Sequence, residues 1–127
     1  MTELKSFGRK RWAIADGYIP SWSNGPEPQM LSHETVCILN TGDTDANVEI
    51  MLYFTDRDPA GPYKLTVPPK RVLHQRFNYL KNPEPIPVGV DYGCVIESDT
   101  PIVVQHTRLD SRQAENALVS TIAFAAE

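Results

Sequence analysis

The strictest constraint in this sequence is a two-residue period. Residues 47–55, NVEIMLYFT, place Val48, Ile50, Leu52 and Phe54 on one face of an extended chain and Glu49, Met51, Tyr53 and Thr55 on the other. A strand turns successive side chains to opposite faces, so this alternation predicts a sheet with one buried face. No segment sustains a long 3.6-residue period. Eleven prolines and seven glycines punctuate the 127 residues, as in a chain of many short strands.

The same reading predicts strands at 9–16, 33–40, 63–67, 71–77, 92–98, 101–108 and 117–125. In the first, Trp12 and Ile14 share a face opposite Ala13 and Ala15. In the last, Leu118, Ile122 and Phe124 are expected inward. The Asn-, Gly- and Asp-rich turn between 33–40 and 47–55 predicts that those two strands form an antiparallel hairpin. Ser98-Asp99-Thr100 reads as a tight turn joining 92–98 to 101–108, with Pro101 tolerated at a strand start. The stretch 17–32, GYIPSWSNGPEPQMLS, holds too many prolines for a ladder strand. A loop of that length is functional or tightly packed, with Tyr18 and Trp22 as its anchors. The expected fold is all-β: a single-domain antiparallel β-sandwich of jelly-roll type over residues 1–127. It has about eight short strands, with 1–8 and 125–127 frayed.

Charge and hydropathy narrow the function classes. The net charge of −4 argues against broad, charge-driven binding to nucleic acid. The apolar runs are only a few residues long, and the N-terminus has no apolar core of a signal peptide. A cytoplasmic location is expected, with Cys37 and Cys94 as buried free thiols. No CxxC and no zinc-finger spacing occurs. No GxSxG is present and neither cysteine has an evident base, so the reading is non-enzymatic, without a cofactor. His33, His74 and His106 with Glu34 form the alternative of a metal-dependent enzyme, if their strands were neighbours. GRKR at 8–11 with Arg71, Arg76, Arg108 and Arg112 forms a second alternative, a DNA-binding regulator.

Residues 101–118, PIVVQHTRLDSRQAENAL, carry the densest polar chemistry. A β-branched core run passes directly into Gln105, His106, Thr107, Arg108, Asp110, Arg112 and Asn116, as in a rigid element that presents a site. Burying an unpaired Arg is expensive, so Arg108 must meet an acid, a ligand or solvent, and Glu34 is the nearest candidate acid. The expected site comprises Trp12, Glu34, His74, Gln105, His106, Arg108, Arg112 and Asn116. Trp12, Trp22 and Tyr18 offer faces for a sugar ring or another ring system. The structural alternative is an Arg–Glu network, for instance Arg112 with Glu115.

WAIADGYIP at 12–20, GPEPQ at 25–29, SHETVCILN at 32–40, GPY at 61–63, LTVP at 65–68, RFN at 76–78, PIP at 85–87 and the whole of 101–118 resemble the sensory rhodopsin transducer family. The likeness covers nearly all of the chain beyond about residue 9. It implies a β-sandwich that assembles as a homotetramer. It also implies a cytoplasmic protein that docks on a membrane sensory rhodopsin. Family relatives further suggest a small polar ligand, such as a sugar, and in some cases contact with DNA.

Overall fold

The computed structural model describes residues 7–113 and 117–126. Its elements are β1 (Arg9–Tyr18), β2 (His33–Asn40), β3 (Ala46–Phe54), β4 (Ala60–Val67), β5 (Arg71–Arg76), a 3-10 turn (Phe77–Tyr79), β6 (Asp91–Asp110), β7 (Ala117–Ile122) and β8 (Phe124–Ala126). Every pairing among them is antiparallel. The fold is all-β, as the alternating patterns require.

One strand organises both layers. The first half of β6 pairs with β1 and β3 in the order β4-β3-β6-β1-β8. Its second half pairs with β2 and β7, and β2 pairs in turn with β5. Ser98-Asp99-Thr100 is therefore not the expected turn but the middle of one 20-residue strand. Between Arg9↔Ile102 and Arg11↔Glu97 the chain advances two residues on β1 and five on β6, so β6 is irregular where it leaves one layer for the other. Local bonds absorb the polar groups there. The Asp99 carboxylate accepts Asn47 N–H at 2.9 Å and Asn47 Nδ2 at 2.7 Å, and Thr100 N–H donates to Ser98 Oγ.

The expected hairpin of 33–40 with 47–55 is also corrected. β2 pairs with β5 and β6, whereas β3 pairs with β4 and β6. The connection between them carries the chain from one layer to the other. Asn40, fully buried, holds that corner: its Nδ2 donates to the carbonyls of Thr44, Val67 and Pro68, and its Oδ1 accepts Gly42 N–H. Val36 and Ile38 of β2 join Val48, Ile50 and Leu52 of β3 in one buried cluster with Trp12, Ile14, Ile96, Ile102 and Val104. The two apolar stripes meet across the core rather than edge to edge.

The C-terminal strand departs further from expectation. It is two strands, split at buried Ala123, whose N–H donates to Val104 O. Leu118, Ile122 and Phe124 are exposed, not inward. Among the described residues β7 pairs with β6 alone, so it is an edge strand, and both of its faces are exposed. Cys94 is buried, and burial pushes its thiol up to about 12; Cys37 is only half-buried, on the outer face of β2.

Candidate functional site

Glu34 is the centre of the most concentrated polar chemistry. Even-numbered residues of β2 point inward, so the alternation that buries Val36 and Ile38 also buries Glu34 completely. The β2–β6 register sets Glu34 opposite Arg108 and Val36 opposite His106. Both polar side chains of β6 thus converge on the carboxylate. Arg108 Nε donates to Glu34 Oε1 at 2.8 Å, and His106 Nε2 bonds Glu34 Oε2. A buried carboxylate is tolerable only when its lone pairs are filled in this way.

A bulge brings the other layer into the cluster. Between Ile14↔Cys94 and Gly17↔Tyr92, β1 contains one extra residue, which bends its end toward β2. Tyr18 N–H then donates to Glu34 Oε1 at 2.8 Å, and Arg108 Nη2 donates to Asp16 O at 2.9 Å. Arg108 Nη2 also lies 3.3 Å from the exposed Asp16 carboxylate. Glycine is required at position 17, because a Cβ there would stand 2.4 Å from the Tyr92 ring. That ring packs edge-on against Phe77, with centroids 5.7 Å apart. Tyr92 Oη is buried without a hydrogen-bond partner among the described residues, and burial, with the Glu34 charge adding, raises its pKa well above the ordinary value.

A second cluster adjoins the first through Tyr18. Arg112 bends back onto Asp110, with Nη2 to Oδ2 at 2.7 Å and Nε to Oδ1 at 3.0 Å, while Arg112 N–H donates to the same carboxylate. Its guanidinium lies 5.6 Å from the Tyr18 ring centroid and 5.3 Å from that of Trp22. Trp22 is 58% exposed and so is not the buried anchor expected of the loop; fully buried Ile19 takes that part. The loop is pinned by Asn24, whose N–H donates to Ser111 O at 2.7 Å and whose Nδ2 reaches Arg112 O. Buried Ser32 and Ser111 bond each other at 3.0 Å beneath it. Trp22, Asp110, Arg112, Gln113 and Ala117 line a cleft of about 460 Å³ beside these groups.

The expected site residues therefore divide. Glu34, His106 and Arg108 form one knot, and Arg112 stands beside it across Tyr18. Trp12 lies apart, in the core, with its indole N–H donating to Arg9 O at 2.9 Å. His74 and Gln105 flank Cys37 on the outer face of their layer, since the register sets Cys37 opposite both. Asn116, like Glu115, lies outside the described residues. Arg112 takes its local acid from Asp110. The D-x-R spacing at 110–112 was a legible signal for that pair; Asp16 carried none, because only the bulge brings it to Arg108. Among the described residues no group of three or more His, Cys, Asp or Glu is placed to hold a metal ion. The metal-enzyme alternative loses its geometric basis, with His74 outside and His106 inside the layer.

The Asp110–Arg112 pair has a pH signature. Hydrogen bonds from Arg112 hold the Asp110 carboxyl below its ordinary 3.8. A depressed carboxyl contributes stability above its unfolded pKa and loses it as pH falls through the folded one. The contribution should therefore fade only below about pH 4. Carboxyl-carbon NMR is expected to give Asp110 a midpoint below 3.8, and Arg112→Ala is expected to raise it. An identical midpoint in both proteins would mean that the ion pair does not persist in solution.

This is an all-β scaffold whose buried carboxylate is satisfied by its own neighbours, with an open cleft beside the exposed Trp22. The family model of the Anabaena sensory rhodopsin transducer matches residues 7–125, and the chain belongs to that family. The solved structure of the Anabaena sensory rhodopsin transducer is 65% identical, with a TM-score of 0.76, over 86% of this chain and 95% of that one. A crystal structure of a Thermotoga maritima protein is 35% identical, with a TM-score of 0.84, over 94% of this chain and 97% of that one. No curated protein matches the chain. Among the described residues no helix is long and apolar enough to cross a membrane.

Proposed function

We propose that this protein is a non-enzymatic signal transducer that binds the cytoplasmic side of a membrane sensory rhodopsin and relays its state. The observation that carries the reading is the 65% identity to the Anabaena sensory rhodopsin transducer over most of both chains. The module works as a homotetramer in the cytoplasm. Its cleft at Trp22, Asp110, Arg112 and Gln113 takes a small polar ligand of the sugar type, with an exposed aromatic face for the ring and planar hydrogen-bonding groups for hydroxyls. The DNA-binding alternative is weaker, because the guanidiniums of Arg108 and Arg112 are already paired with Glu34, Asp16 and Asp110.

Co-sedimentation tests the reading. Purified protein is mixed with membrane vesicles that carry a sensory rhodopsin from the same cells, in darkness and under illumination. Rhodopsin-dependent pelleting that changes with light is the expected result. Equal pelleting with and without the rhodopsin would remove the photoreceptor as partner.

A further inference from the structure

A second cleft, of about 340 Å³, opens where the end of β1, the end of β3 and the start of β6 meet the 87–90 connection. Tyr18, Phe54, Pro87 and Val90 give it apolar walls, and Asp56, Arg57 and Asp91 bring charge. The cation is already occupied. Arg57 Nη2 lies 2.6 Å from Glu84 Oε1, and its guanidinium stands 4.5 Å from the Phe54 ring centroid. The acids are not: among the described residues neither the Asp56 nor the Asp91 carboxylate has a hydrogen-bond or ion-pair partner. The walls are fixed from behind. Gly89 N–H donates to Ile19 O at 2.8 Å, Tyr63 Oη donates to Glu84 O at 2.8 Å, and Ile86 is buried. Exposed Tyr53 continues the apolar surface past Phe54 into an adjoining hollow that shares Asp91.

We infer that this cleft is where the protein docks on its membrane partner, by taking up a Lys or Arg side chain from a basic cytoplasmic loop. Apolar walls beside unpaired carboxylates suit an amphipathic cation. The methylene stem of such a side chain lies along apolar surface while its head reaches an anion, and an aromatic face adds attraction. The choice of occupant follows from charge. Loops on the cytoplasmic side of membrane proteins carry an excess of Lys and Arg. The net charge of −4 favours approach to such a surface. Anionic lipid headgroups of the same leaflet would repel the two carboxylates, so the contact is to protein and not to lipid. A cleft held in shape before binding loses little to ordering when it is filled.

This inference rests on the rhodopsin reading and assigns the surface that serves it. Asp56→Asn with Asp91→Asn removes both charges at nearly constant shape. In co-sedimentation with rhodopsin vesicles this double variant is expected to bind about tenfold more weakly than the parent, the combined effect of two exposed ion pairs. Salt should weaken the parent more than the variant. Asp45→Asn with Glu27→Gln, an equal charge change at exposed positions outside the cleft, is expected to bind as the parent does. An oligolysine peptide gives a readout without rhodopsin: it is expected to shift the amide NMR signals of Thr55, Arg57 and Val90 in the parent and not in the Asp56, Asp91 variant. A parent and double variant that bind rhodopsin equally well would overturn the cleft and leave the rhodopsin reading standing. Peptide shifts confined to the cleft, with no rhodopsin binding by the parent, would support the basic occupant and remove the photoreceptor as its source. Neither shifts nor binding would remove both.

Discussion

Replacing Arg108 by alanine is expected to cost about 3–5 kcal/mol of stability, the usual penalty for removing one partner of a buried ion pair. Glu34 is fully buried and loses its Nε donor, and the Asp16 carbonyl of β1 loses the Nη2 donor that ties the two layers together. Lysine should rescue little, because one ammonium cannot reproduce a planar fork that reaches Glu34 and Asp16 at once. Glu34→Gln in the Arg108→Ala background removes the orphaned charge and is expected to recover part of the loss. Urea denaturation of the two single variants and the double variant gives the coupling directly. Strictly additive losses would show that Glu34 and Arg108 do not act as a pair. This expectation assigns Arg108 to the scaffold: a ligand-binding Arg would leave stability nearly unchanged when removed.

Truncating Phe77 to alanine is expected to cost a similar amount, about 3–5 kcal/mol, for loss of a buried aromatic and the cavity that it leaves. Phe77 opens the 3-10 turn after β5, is fully buried, and packs edge-on against Tyr92. The next residue, Asn78, donates to Ser32 O at 3.0 Å and so ties this turn to the β2 entrance, next to Glu34. The loss should therefore loosen the packing of Tyr92 as well as global stability. Near-UV circular dichroism and denaturant midpoints report the two effects. Phe7→Ala, at an exposed aromatic, serves as the control, expected within about 0.5 kcal/mol of the parent. Equal effects of the two substitutions would show that the turn is not part of the core.

The Glu34 knot and the Arg112 cluster meet at Tyr18, whose backbone N–H serves one and whose ring serves the other. Disturbing the buried knot should therefore shift the aromatic face beside the cleft. The Arg108→Ala protein offers a way to see it, since Trp22 fluorescence reports the surroundings of an exposed indole.

Much of this protein is local and was legible in the sequence. Period-two alternation located β1, β2 and β3 and set Trp12 with Ile14, and Val48 with Ile50 and Leu52, on shared faces, because the pleat alone decides which side chains share a face; that Trp12 belongs to the core and not to the polar site was decided by the fold. The cost of burying a charge required Arg108 to meet an acid, a ligand or solvent, and made Glu34 the nearest candidate acid. Partnership between strands was not local. An apolar stripe is satisfied equally by a neighbour in its own sheet or by one across the core, so the pattern of 33–40 and 47–55 could not reveal that β2 and β3 lie in different layers. For the same reason Ser98-Asp99-Thr100 read as a turn. Asn47 reaches in from β3 to bind Asp99, and the chain continues as one strand. The tail shows the opposite failure: Leu118, Ile122 and Phe124 carry the composition of buried strands, yet they are exposed, because among the described residues β7 and β8 are edge strands, each with one neighbour. Composition specified what these residues avoid, and only the tertiary arrangement decided whether this chain could supply it.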